Sequence, residues 1–329
     1  MRIIIKRVIA ALLVGTASVF GNPQCTLEKN PSLSAEQMDA FRIAEEAKLT
    51  RATTNGLVKI AAAQVEIHTT NQVNVIIDYI SQAGKDKADM IVFGEYLLGP
   101  FYNNTSEAVE RVAKAAMENN VNVVVGGWEE FEPGAYAGKK KNAFANTALI
   151  FDRAGKIVGK YSKAHGAVGG APYGWPPKDT DEEWIMKEGD GFPTFELDFG
   201  RVGIMICYDG YFAESAASLS FNGAEIILWL NGRANAVEEC IVKTDMFRNY
   251  CAMIATNLGP GSGTMIGNWP FGIKAHVQET GNHYIIADIE LEYLRLQRKN
   301  SRTFHQRRPE IYGALTEQHE PWKAYESLK

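Results

Sequence analysis

The sequence predicts an α/β protein in which mixed sheets are covered by helices. Three observations point there. Apolar runs of strand length recur along the chain, among them Leu57–Val65, Asp89–Gly94 and Val121–Gly126. Segments with apolar residues at helical spacing lie between them, so the order begins β-α-β-α-β. The chain has 329 residues, 46% of them hydrophobic and 22% charged, an ordinary make-up for a globular protein.

Each element follows from local pattern. Asn71 caps a helix to about Ala83, with Val73, Ile76, Ile77 and Ile80 on one face. A second helix runs over 105–119. Asn146–Phe151 and Lys156–Lys160 flank the turn Asp152-Arg-Ala-Gly155 and read as a hairpin. Residues 164–191 form a long Gly/Pro-rich stretch, a length usually reserved for function. Phe195–Phe199 and Arg201–Cys207 form another hairpin. Helix 211–222, strand Glu225–Leu230, helix 235–250 and strand Ala252–Asn257 restore the alternation, and a meander over 263–289 closes it. No internal repeat is visible. One domain of mixed sheets accounts for the pattern.

The N-terminus stands apart. Met1–Arg7 is basic, Val8–Phe20 is a 13-residue apolar stretch, and Gly21-Asn22-Pro23 follows. This is the pattern of a secretory signal peptide over 1–21, shorter than a membrane span. Export to a periplasmic or extracellular space is expected, with a helical extension, helix 34–53 included, over 22–56. The net charge of −5 gives no electrostatic argument for nucleic acid or an anionic membrane. Four cysteines, at 25, 207, 240 and 251, do not make a disulfide-dense scaffold. Cys240 and Cys251 fall eleven apart in one expected helix and cannot pair locally.

Three strand ends carry reactive side chains. Cys207 closes the run Arg201-Val-Gly-Ile-Met-Ile-Cys207 and precedes Tyr208-Asp-Gly210, which breaks the strand. A thiol there is either an inert core residue or a nucleophile presented at a cleft, with backbone N–H groups of a helix start beside it. Glu95 closes Met90–Gly94, and Lys163 follows Lys160-Tyr-Ser162. Taken singly, each is as well read as a solvated strand end.

Taken together, Val92-Phe-Gly-Glu95, Gly159-Lys-Tyr-Ser-Lys163 and Gly203-Ile-Met-Ile-Cys207-Tyr-Asp resemble the nitrilase, or carbon–nitrogen hydrolase, superfamily. Lys187-Glu-Gly-Asp190, Arg248-Asn249 and Ala255-Thr-Asn257 follow the same order. The resemblance covers 57–293 and leaves 294–329 as a tail. It implies a four-layer α-β-β-α sandwich, a homodimer or larger oligomer joined near 211–222 and 235–250 with the tail at the interface, and a Glu95–Lys163–Cys207 triad. In that triad Cys207 attacks a carbonyl or nitrile carbon and Glu95 moves the protons. Lys163 and the Tyr208 N–H stabilise the oxyanion. A cation beside the thiol also favours the thiolate. Counting back from Gly189-Asp190 assigns a second acid to Glu182, with Glu183 adjacent. The segment after Lys163, Ala164–Gly170, departs from the family's pattern.

Cys207-Tyr-Asp-Gly210 looks like the amidase and carbamoylase branches rather than nitrilases proper, which commonly carry Cys-Trp-Glu. Trp128 and Tyr208 are expected to line the pocket, and Arg233 could hold a substrate carboxylate. Trp128 has a plain alternative as a core aromatic, and Arg233 as a loop arginine. The sequence shows neither a His/Cys metal cluster nor a phosphate-binding Gly fingerprint, and no cofactor is expected. The reading is hydrolysis of a small linear amide. Its competitors are a nitrilase, an N-carbamoyl amidohydrolase, an exported binding protein with a vestigial triad, and a Cys–His pair using His165 or His276.

Overall fold

Strands that are buried on both faces need apolar residues at every position, and the central strands here have them. The computed structural model describes residues 56–67, 71–131, 144–167, 183, 186–321 and 323. The expected signal segment over 1–21, the expected helix over 34–53 and Glu182 lie outside the described residues. In β1 (Leu57–Gln64), Val58, Ile60 and Ala62 turn to one side and Ala61 and Ala63 to the other, all fully buried.

The first sheet joins β1, β2 (Met90–Val92) and β4 (Asn122–Glu130) in parallel. β5 (Ala145–Phe151) and β6 (Ile157–Ser162) follow antiparallel, and β13 (His283–Glu290) pairs antiparallel with β1 on the other side. A short strand β3 (Pro100–Tyr102), not expected from the sequence, runs parallel to the end of β4. The second sheet repeats the plan. β8 (Gly200–Ile206), β9 (Ile226–Leu230) and β10 (Ala252–Thr256) are parallel. β11 (Met265–Asn268) and β12 (Gly272–His276) follow antiparallel, and β7 (Thr194–Leu197) flanks β8. The repetition is one of hydrogen-bonded topology, so the absence of repeated residues concealed it.

Among the described residues four helices cover the sheets. Ile76, Ile80 and Ala83 of α1 (Gln72–Lys85) and Val109, Val112 and Ala116 of α2 (Glu107–Asn119) pack on the outer face of the first sheet, with Ile91, Val123 and Val125. The spacing of these residues is that of one helical face. Ser106 caps α2 by accepting from Val109 N at 3.2 Å. Ala216 and Leu219 of α3 (Ala213–Phe221) and Val242 and Met246 of α4 (Glu239–Asn249) cover the second sheet, with Ile227, Trp229 and Met253. Between the sheets, Val92, Val124 and Ile150 meet Ile204, Leu228 and Ile254. The result is the four-layer α-β-β-α arrangement.

Two helices are shorter than expected. Residues 207–211 form a 3₁₀ turn before α3, and 231–238 are irregular before α4. Cys251 lies beyond α4 and is buried, whereas Cys240 is exposed on the helix, so the two do not share one helix. α5 (Leu291–Lys299) follows β13. Residues 51–297 make one compact unit, and 298–329 fall in a second. The second carries α6 (Arg302–His305), capped by Ser301, and two 3₁₀ turns at Pro309–Ile311 and Gly313–Leu315. No helix among the described residues is long and apolar enough to cross a membrane.

Candidate active site

The parallel strands β2, β8 and β9 deliver their carboxyl ends to one place, as open α/β sheets do at ligand sites. β2 stops at Val92, and Glu95 is reached by irregular backbone, its N–H donating to Asn231 O at 3.3 Å. Glu95 is 2% exposed. It fits only because its neighbours lack side chains: a Cβ on Gly232 would stand 2.7 Å from Glu95 Oε2, and one on Gly126 2.8 Å from Glu95 Cα.

Lys163 follows β6 and keeps its pairing, with its N–H bonded to Asn146 O at 2.9 Å. Its side chain is fully buried. Nζ donates to Glu95 Oε1 at 3.1 Å and to Glu183 Oε1 and Oε2 at 2.8 and 2.9 Å. Glu183 is thus the carboxylate seen on Lys163; the neighbouring Glu182 assigned from the sequence lies outside the described residues. Tyr96 Oη and Ala167 N also donate to Glu183.

Sequence reasoning missed Asn146. From β5 it donates Nδ2 to Glu95 Oε1 at 2.6 Å, while its own Oδ1 is buried without a partner among the described residues. Glu95 Oε1 is therefore doubly occupied, and Oε2 accepts no hydrogen bond from the described residues. The signal was faint, because Asn146 stands at the start of an otherwise apolar strand.

Cys207 is half-buried at the end of β8 with φ +45°, a left-handed conformation that costs a residue with a Cβ about 1–2 kcal/mol. Two bonds hold the elbow. Trp229 Nε1 donates to Cys207 O at 2.8 Å, and Ile206 N donates to Asp209 Oδ2 at 3.0 Å. Asp209, itself fully buried, also accepts from Tyr161 Oη at 2.7 Å and His165 N at 2.9 Å, and its Oδ1 pairs with His165 Nδ1 at 2.9 Å. One carboxylate so ties the cysteine elbow to the strand end that carries Lys163. His165 lies flat on Phe212, centroids 3.9 Å apart, and His276 faces Glu239 at 3.7 Å. Among the described residues neither histidine bonds Cys207, so the geometry offers no Cys–His pair.

The charges decide the resting state. Burial pushes the Glu95 carboxyl up, helped by Glu183 and opposed by Lys163 and Asn146. Burial would push Lys163 down, but Glu95, Cys207 and Glu183 outweigh it and hold the ammonium above its usual value. Burial, with Glu95 beside it, pushes the Cys207 thiol up to about 12 against the pull of Lys163 and Arg233. Lys163 does pull the thiol toward the thiolate, as expected of a neighbouring cation, but burial and Glu95 outweigh it. Burial and the carboxylates Glu95 and Glu183 together outweigh Lys163 and Arg233 and favour the protonated thiol.

The remaining assignments separate. Trp128, on β4, stacks on Phe144 at 3.7 Å between centroids and lies 5.5 Å from Tyr96. Tyr96, Gly99, Pro100, Trp128 and Glu130 line a cavity of about 320 Å³. Tyr208 lies edge-on to Tyr211 and Phe212. Arg233 is paired with Glu238, Nη1 to Oε2 at 2.6 Å. Among the described residues no group of three or more His, Cys, Asp or Glu is arranged to hold a metal ion.

This sandwich is shared with known enzymes. A profile of the carbon-nitrogen hydrolase family matches residues 59–299, and the chain belongs to that family, hydrolases of non-peptide C–N bonds. It is 28% identical over 216 residues to a probable nitrilase of Schizosaccharomyces pombe, covering 62% of this chain and 72% of that one. It is 25% identical over 244 residues to the N-carbamoylputrescine amidase of Arabidopsis thaliana, covering 66% and 75%. The fold matches the crystal structure of a carbon-nitrogen hydrolase from Helicobacter pylori with a TM-score of 0.66 at 19% identity, over 81% of this chain and all of that one.

Proposed function

We propose that the protein hydrolyses a small linear amide through a thioester on Cys207. The observation that carries this reading is the Glu95–Lys163–Cys207 cluster, in which Glu95 Oε1 is fixed by Lys163 and Asn146 while Oε2 is left to exchange protons. As sulfur attacks the amide carbon, Glu95 takes the thiol proton and passes it to the departing nitrogen, releasing ammonia or an amine. Lys163 and the Tyr208 N–H stabilise the developing oxyanion. Water then attacks the thioester; Glu95 takes its proton and returns it to sulfur. Glu183 keeps Lys163 charged and oriented without touching the reacting carbon.

Tyr208-Asp-Gly210 after the nucleophile supports amides over nitriles. The relatives' names include both classes. The test is product analysis by mass spectrometry on paired aliphatic amides, N-carbamoyl compounds and nitriles, with Cys207→Ala as control. Amide turnover lost in the variant is expected; nitrile turnover without amide turnover would overturn the assignment, and inertness toward all three would favour a vestigial site.

Two further proposals concern setting. The basic-then-apolar start, Met1–Phe20, supports export with removal of 1–21; N-terminal sequencing of secreted protein should begin near Asn22, and a product retaining Met1 would oppose it. An aromatic surface supports a homo-oligomer. Phe247 of α4 and Phe271 are both half exposed and stack at 4.8 Å, and Trp269 lies 6.1 Å from half-exposed Tyr293. Light scattering should give a multiple of the chain mass, reduced by Phe247→Asp; a monomeric wild type would exclude it.

A further inference from the structure

Arg233 is linked to the nucleophile's elbow through Trp229. It follows Gly232, which touches Glu95, and its guanidinium sits 4.9 Å over the Trp229 ring, whose Nε1 holds the Cys207 carbonyl. Among the described residues, Lys163 and Arg233 are the cations whose charge acts on the Cys207 thiol. A substrate bearing a carboxylate would need one of them. Lys163 is committed to two carboxylates.

Arg233 is committed too. Nε and Nη2 both donate to Asn231 Oδ1, at 3.0 and 2.6 Å. Nη1 reaches Glu238 Oε1 and Oε2 at 2.8 and 2.6 Å and Tyr211 Oη at 2.7 Å. Tyr211 Oη donates in turn to Glu238 Oε1 at 2.7 Å. The arginine side chain is 12% exposed and the glutamate 34%, so the glutamate is the more solvent-facing member of the pair. One guanidinium nitrogen, Nη1, holds both Glu238 oxygens in a charge-assisted contact, and a ligand carboxylate would have to displace it.

We propose that Glu238 is a specificity residue, occupying Arg233 so that the site accepts amides with an uncharged acyl group and rejects those whose acyl chain ends in a carboxylate. This rests on the amidase reading above. Glu238 fills the place that a substrate carboxylate would take, and like charge repels the incoming anion. Removing the charge while keeping an acceptor, Glu238→Gln, leaves Arg233 an unneutralised cation beside the pocket.

The experiment compares kcat/KM for butyramide and succinamate, of equal carbon number, in wild type and Glu238→Gln. Wild type should favour butyramide. In the variant the ratio should shrink about tenfold or more, through a lower KM for succinamate, the scale of one desolvated charge contact. The double variant Arg233→Gln/Glu238→Gln should restore the neutral preference. Wild-type turnover of succinamate equal to butyramide would overturn the proposal, as would an unmoved ratio in folded Glu238→Gln. If that variant does not fold, the wild-type ratio decides alone. If both amides are inert and nitriles are cleaved, the amidase reading fails, and butyronitrile against 3-cyanopropanoate then tests the charge rule by the same ratio.

Discussion

Lys163 is fully buried and faces two carboxylates, Glu95 and Glu183; Arg233 keeps 12% of its side chain exposed and faces one, Glu238. The charges of both cations act on the same thiol. Among the described residues the lysine cluster carries an excess negative charge and a Glu95 oxygen without a donor, so it can take up a proton. The arginine cluster is balanced, each of its charges answered by the other. The difference teaches that proximity to a nucleophile does not make a cation reactive; what matters is which charge the surroundings leave uncompensated.

The largest break removes what the two clusters flank. Cys207→Ala should lower kcat by about 10⁴-fold or more, read by ammonia release. Lys163→Met comes next. In the proposed mechanism it strips the oxyanion of a donor, and it leaves buried Glu95 and partly buried Glu183 without their cation. We expect kcat to fall about 10²–10³-fold and stability by about 3–5 kcal/mol, measured by urea unfolding. Unchanged stability would mean that the carboxylates are not charged together.

Smaller changes sharpen the comparison through pH. Glu95 works as a base only when ionised, so kcat/KM should fall as pH drops through its raised pKa. Glu183→Gln removes a negative neighbour, lowers that pKa and should move the acid limb to lower pH. Asn146→Ala removes a donor to the ionised form, raises it and should move the limb to higher pH. Limbs shifting in one direction in both variants would contradict this charge balance. The smallest effect is set by an exposed pair remote from both clusters: Lys274→Met, losing Glu290 at 3.0 Å, should change stability by less than about 1 kcal/mol.

The ends at Glu95 and Cys207 were legible because strands buried on both faces read as unbroken apolar runs that these residues interrupt; Lys163 follows the half-exposed strand β6 and was legible only through its order with the other two. Partners that meet only in three dimensions were not legible. Asn146 lies 51 residues from Glu95, and Asp209 lies 48 from Tyr161. Of the two adjacent glutamates weighed for a second acid, Glu183 is the one among the described residues and accepts from Lys163; the sequence had no periodicity there to decide between them. Arg233 and Glu238 are five apart across a stretch expected to enter a helix, so their pairing left no spacing signature. The duplicated sheet plan was invisible for a like reason: main-chain pairing is shared between the halves where side chains are not.

The elbow at Cys207 has a consequence for any lineage that abandons this chemistry. At φ +45° a Cβ is a standing expense that selection tolerates only while sulfur is needed there. Glycine would relieve it, at the lesser penalty of a looser unfolded chain. Cys207→Gly should therefore melt no lower than Cys207→Ala, and an inactive descendant would be expected to drift toward glycine at this position before any other residue.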